Sequence, residues 1–163
     1  MPHWWEHEKY DEHFGRERSC LVRRKATRGD TVQFQVQVFQ PAPPVGFQPQ
    51  STQPAKVPQN IAGWYAWATL KYQWPDVDAQ AIAQVTSLPR GTPPGGSIVF
   101  TEAGSGIMLV TFPPFATQSF PDGEFDVVYD VQTQDTSSPV VTTTQERGVF
   151  TFSPDATRSI TQP

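Results

Sequence analysis

Thr31-Val32-Gln33-Phe34-Gln35-Val36-Gln37-Val38 is the stretch that decides the fold. Val32, Phe34, Val36 and Val38 alternate with Gln33, Gln35 and Gln37. Successive side chains of an extended strand point to opposite faces, so this period of two predicts a strand with an apolar inner face and a glutamine outer face. The alternation returns at Phe125, Val127, Tyr129 and Val131, with Asp126 and Asp130 among the residues between.

Working outward, Trp64–Trp74 reads as an aromatic strand stopped by Pro75. Large groups on both of its faces predict a central strand, or one covered by another chain. Ala81–Thr86 is a shorter strand, and Pro89–Gly96 is rich in turn residues. Ser97–Thr101 and Ile107–Phe112 form a hairpin across Glu102–Gly106, with Gly104 and Gly106 in the positive-φ positions. Pro113-Pro114 ends that strand, and Phe115–Ser119 reads as one helical turn. After the strand at 125–131, Asp135–Pro139 turns and Val140–Thr144 returns. Arg147-Gly148 turns again, and Val149–Phe152 closes the sheet. Seven to eight short strands separated by turn signals every roughly 8–12 residues are the pattern of an all-β antiparallel β-sandwich. Its expected core is Val32, Phe34, Val36, Val38, Leu70, Tyr72, Ile107, Leu109, Phe125, Val127, Tyr129 and Val149 or Phe150.

Two segments depart from the strand pattern. Residues 1–20 carry Trp4, Trp5 and Phe14 among charged side chains and have no apolar stripe, which predicts an extended N-terminal arm whose aromatics fill pockets on a partner. Residues 40–60, QPAPPVGFQPQSTQPAKVPQN, hold six Pro and form a long insertion, mobile in the free protein and docking on neighbours, with Phe47 its one large apolar group. The domain limits are thus an arm at 1–20, a sandwich at 21–158 interrupted at 40–60, and a polar tail at 159–163. Arg23, Arg24, Lys25 and Arg28 form a basic patch suited to an acidic protein surface. The candidate partner-binding residues are Trp4, Trp5, Phe14, Arg23, Arg24 and Phe47.

Composition narrows the chemistry. Across 163 residues there are 17 Pro, one Cys and a formal net charge of −4. The prolines and the scarcity of helix-forming runs disfavour a helical protein. The acidic balance disfavours nucleic acid, which needs clustered cations. No apolar run reaches the ~18 residues of a membrane span. The charged first residues do not read as a signal peptide, which implies synthesis in the cytoplasm. Cys20 has no partner for an intrachain disulfide. His3, His7 and His13 all lie in the arm, away from any scaffold that would pre-organise a catalytic site. His3-Trp4-Trp5-Glu6-His7 lacks the order of a zinc-protease helix. Arg28-Gly29-Asp30 reads as a turn rather than an adhesion tripeptide. Glu124, Asp126 and Asp130 read as the solvent face of a strand. The expectation is a protein that is not an enzyme and takes no cofactor or metal.

Arg28-Gly29-Asp30-Thr31 leads into a strand, and a Trp-containing second strand follows. A hairpin with a one-turn helix comes next, then Pro121-Asp122-Gly123-Glu124-Phe125-Asp126-Val127-Val128-Tyr129-Asp130-Val131-Gln132, and finally Thr142–Arg158. In this order and spacing, over about Arg23 to Arg158, the chain resembles the immunoglobulin-like domain of tailed-phage structural proteins, in the manner of baseplate upper protein N-terminal domains. The resemblance implies an immunoglobulin-like sandwich in a bacteriophage virion, made in the host cytoplasm and present in several copies or as a homo-oligomer. Its partners would be other virion structural proteins, as a tail, baseplate or fibre-attachment accessory. The arm and the 40–60 insertion depart from that pattern, and no fibre-forming region follows. A capsid decoration protein is the nearest alternative. A carbohydrate- or receptor-binding module is another, since Trp64, Tyr65, Trp67, Tyr72 and Trp74 could stack on sugars, although these side chains are expected mainly in the core.

Overall fold

The computed structural model describes residues 21–41, 56–74, 76, 80–88 and 95–154. Eight strands cover most of them: β1 Val22–Thr27, β2 Val32–Gln37, β3 Tyr65–Lys71, β4 Ala83–Thr86, β5 Ser97–Glu102, β6 Ile107–Phe112, β7 Phe125–Gln134 and β8 Thr142–Ser153. They form a five-stranded sheet in the order β1-β8-β7-β3-β4 and a three-stranded sheet in the order β2-β6-β5. This is the immunoglobulin arrangement, with β2, β6 and β5 in the places of strands B, E and D and β8, β7, β3 and β4 in those of G, F, C and C′. Short 3-10 turns at Ala103–Ser105 and Pro114–Ala116 complete the described secondary structure. The expected helical turn therefore begins one residue earlier, at Pro114, whose fixed φ suits a first helical position.

One pairing departs from a wholly antiparallel sandwich. β1 runs parallel to β8, from Val22 opposite Gly148 to Thr27 opposite Ser153. Its sequence, VRRKAT, holds the basic residues Arg23, Arg24 and Lys25. Cations on an edge strand discourage pairing with foreign chains, so charge and strand are compatible here.

The core lies between the sheets and is mostly aromatic. Phe34 of β2 makes edge contacts with Tyr129 and Phe150 at centroid distances of 5.2 and 5.4 Å. Phe150 touches Phe152, which meets Phe120 at 5.1 Å. Against these rings β3 presents Ala66 and Ala68, both fully buried. Small residues fit there because the opposing rings already fill the space between the sheets.

Three expectations about the core are corrected. In β6, Met108, Val110 and Phe112 point inward, while Ile107 and Leu109 are only half-buried. Pairing decides this, since Val32, Phe34 and Val36 lie opposite Phe112, Val110 and Met108. Tyr72 is 53% exposed and closes one side of the sandwich against Phe120 and Phe125, at 6.4 and 6.1 Å. Phe125 is itself half-buried, and Phe150 rather than Val149 enters the core.

The expected turn at Arg147-Gly148 is also absent, because β8 is one strand of twelve residues. Its ladder with β7 slips between Val131 and Gln132, so Gln145 is an extra residue in β8. The slip reverses the inward phase and brings Glu146, Gly148, Phe150 and Phe152 to the inner face. Gly148 serves close packing. A Cβ there would stand 2.3 Å from the Val22 carbonyl oxygen and 2.5 Å from Cε1 of Tyr129. In the β5–β6 connection only Gly106 takes the positive φ expected of both glycines, at 72°. A Cβ on Gly106 would approach the Val38 carbonyl oxygen to 2.5 Å.

The Pro-rich insertion closes at its base. Phe39 bridges Pro58, the Gln40 amide donates to the Val57 carbonyl at 2.8 Å, and the Gln59 amide to the Val38 carbonyl at 2.9 Å. Residues 42–55, with Phe47, lie outside the described residues. At the opposite end of the sandwich the β1–β2 turn is tied to the β6–β7 connection. Gly29 N–H donates to Thr117 Oγ1 at 2.9 Å, and Arg28 donates to the Phe120 carbonyl at 2.7 Å while pairing with Asp122 at 3.0 Å. Arg28 of the Arg-Gly-Asp tripeptide is thus held within the chain.

Candidate binding surfaces

The inner face of the five-stranded sheet holds a closed polar cluster. Arg24 on β1, Tyr129 on β7 and Glu146 on β8 converge because Arg24 pairs with Phe150, and the slip in β8 turns Glu146 inward. Arg24 Nε donates to the Tyr129 hydroxyl at 2.8 Å, and that hydroxyl donates to Glu146 Oε1 at 2.5 Å. Arg24 Nη2 reaches the same carboxylate oxygen at 2.8 Å. The guanidinium also lies over the Phe34 ring, 4.7 Å from its centroid. Burial, and then the hydrogen bond to Glu146, push the Tyr129 phenol well above its ordinary range. The three side chains are thus bonded to one another, and the cluster fastens β1 to its neighbours.

The outer face of the same sheet differs. Tyr65 and Trp67 are two apart on β3 and project from one face. On β7, Gln134 lies opposite Tyr65 and Gln132 opposite Trp67; on β4, Thr86 lies opposite Trp67. With Ala66, Gln84 and Leu88 these residues line a shallow groove of about 460 Å³. Tyr65 is 44% exposed and Trp67 half-buried. Gln84 Nε2 donates to Thr69 at 3.1 Å, and the Thr86 hydroxyl is bonded to the backbone of Leu88. Among the described residues no ionised side chain lines the groove.

Below the groove the face becomes charged. Asp130 was expected to point to solvent, but it is buried and its Oδ2 stands 3.8 Å from Lys71 Nζ. Arg147 lies directly across on β8, and its guanidinium stands 5.8 Å from the centroid of the Trp74 ring. At the β7–β8 tip, Val140 and Val141 are exposed. Beside them, hydrogen bonds from Ser137 and from the Val141 backbone lower the Asp135 pKa.

Of the residues singled out from sequence, Trp4, Trp5 and Phe14 lie, like Phe47, outside the described residues. Arg23 is exposed on β1 and remains available to a partner. Arg24 is half-buried, with Nε and Nη2 bonded to Tyr129 and Glu146 within the chain. The expectation of a mainly buried aromatic strand is corrected as well. Trp64 packs on the core, but Tyr65, Tyr72 and Trp74 are exposed. The glutamines beside them were missed, although Gln132 and Gln134 already stand in a strand of period two. Among the described residues no group of three or more His, Cys, Asp or Glu is placed to hold a metal, and no helix is long and apolar enough to cross a membrane.

No protein-family model matches the chain, and no curated protein matches it. Among solved structures it is similar to AggA, the major subunit of aggregative adherence fimbriae type I from Escherichia coli. The identity is 9%, the match covers 82% of this chain and 89% of that one, and the TM-score is 0.30.

Proposed function

We propose that the protein is a non-catalytic structural subunit of a bacteriophage virion, an accessory of the tail, baseplate or fibre attachment that joins neighbouring subunits through its arm and loops. The observation that carries this reading is the use of the polar groups inside the sandwich. Arg24, Tyr129 and Glu146 bind one another. The outer surfaces of the sheets are broad, and the sequence of residues 1–20 and 40–60 lacks strand alternation. The sequence resemblance to phage immunoglobulin-like domains supplies the virion setting, and its motifs fall on the β1–β2 turn, β7 and β8.

The test is to quantify the chain in purified particles and locate it by cryo-electron microscopy. A tail station gives a copy number of about three or six, or a small multiple, and a capsid decoration protein gives on the order of hundreds. Absence from particles, with the chain abundant in the infected cell, overturns the virion reading. Changing Trp4 and Trp5 to Ala should leave a soluble, folded sandwich that fails to join the particle. Each ring offers about 150–250 Å² to a partner pocket. Incorporation at normal copy number would move the attachment to the sandwich itself.

A further inference from the structure

We infer that the groove on the outer face of the five-stranded sheet is a binding site for a neutral oligosaccharide. Its floor is the column Tyr65–Trp67, whose attachment points are ~7 Å apart along β3. One wall is the glutamine column Gln132–Gln134, and the other is Gln84, Thr86 and Leu88. A sugar ring presents apolar C–H faces and a rim of hydroxyls, so it needs flat aromatic surface below and neutral donors and acceptors at the sides. The groove offers both. The carboxamides of Gln132 and Gln134, the Tyr65 hydroxyl and the Trp67 indole N–H make no side-chain hydrogen bond among the described residues. Each carboxamide supplies donors and an acceptor together, which matches a hydroxyl that both gives and accepts.

Charge separates this occupant from others. An anionic ligand calls for Arg or Lys, and none lines the groove among the described residues. The cations of β3 and β8 are engaged elsewhere, Lys71 beside Asp130 and Arg147 by Trp74, and those of β1 lie at the far edge of the sheet. A protein partner calls for a larger apolar centre than two rings and one leucine. The inference does not rest on virion membership, because it concerns the isolated chain.

Isothermal titration of the full chain tests it, with neutral oligosaccharides of β-linked glucose, β-linked N-acetylglucosamine and α-linked mannose as probes. At least one should bind, with an affinity unchanged when the salt concentration is raised from about 0.05 to 0.5 M, because screening acts on charges. Tyr65→Ala and Gln132→Ala should each weaken binding about tenfold, as loss of an anchoring contact does. Val99→Ser, on the exposed face of the other sheet, should leave it unchanged. The inference fails if none of the probes binds, if Tyr65→Ala binds as the parent does, or if binding falls steeply with salt. A chain absent from particles yet binding sugar would overturn only the virion proposal; a particle component that ignores every probe would overturn only the groove.

Discussion

The two faces of the five-stranded sheet carry polar side chains of similar kinds and treat them in opposite ways. Inside, Arg24, Tyr129 and Glu146 close a triangle in which each is the partner of the other two. Outside, Tyr65 and Trp67 stand between glutamine and threonine columns, with Gln132 and Gln134 turned to solvent. Burial makes the difference. Between the sheets an unmet donor costs about 1–3 kcal/mol, whereas in an open groove water meets it at little cost. The inner cluster is therefore a structural device, and the outer band is free to serve recognition.

The change that breaks the inner side most is Gly148→Ala. The new Cβ collides with the Val22 carbonyl, which cannot move without parting β1 from β8. A loss of about 3 kcal/mol is expected in urea unfolding. An unchanged midpoint would mean that β1 does not lie against β8 as described.

Glu146→Ala is a milder break, leaving the Arg24 guanidinium and the Tyr129 hydroxyl without their shared acceptor. Both retain some access to water, so the expected cost is about 1–2 kcal/mol. The same cluster should be visible at high pH. The folded state holds the Tyr129 proton more tightly than the unfolded chain, whose phenol titrates near 10.0. Its contribution is therefore complete below that pH and is lost as pH rises toward the raised native value. Following stability against pH should show an alkaline decline that is shallower in Tyr129→Phe; equal slopes would mean that the phenol is not held.

Tyr65→Ala sharpens the comparison from the other side. A groove residue that serves recognition and not the fold should change stability by no more than about 0.5 kcal/mol. A loss as large as that of Glu146→Ala would make Tyr65 part of the scaffold.

The sandwich was legible where hydrophobicity alternates. Residues 32–38 and 125–131 fix which side chains enter the core, and the structure buries Val32, Phe34, Val36, Val38, Val127, Tyr129 and Val131. It was not legible where alternation is missing. Ile107-Met108-Leu109-Val110 is apolar throughout, so its phase comes only from pairing with β2. In β3 large aromatics suggested a core position, but the inward places went to alanines because rings from the other strands already occupied the interior. Charge hid β1, and the extra residue Gln145 hid the continuity of β8. Tyr65 and Trp67 are legible as candidate stacking rings, but the glutamine and threonine walls are not, because they come from β4 and β7, apart from β3 in sequence.

The parallel pairing of β1 with β8 has a mechanical consequence. Tension applied through the chain before Val22 and after Ser153 pulls the two strands past one another along their length. Six residue pairs, Val22–Gly148 through Thr27–Ser153, then resist together. A hairpin pulled apart at its open end yields one rung at a time, whereas this ladder must shear as a block. A pull along this line would load all six pairs at once instead of parting them rung by rung.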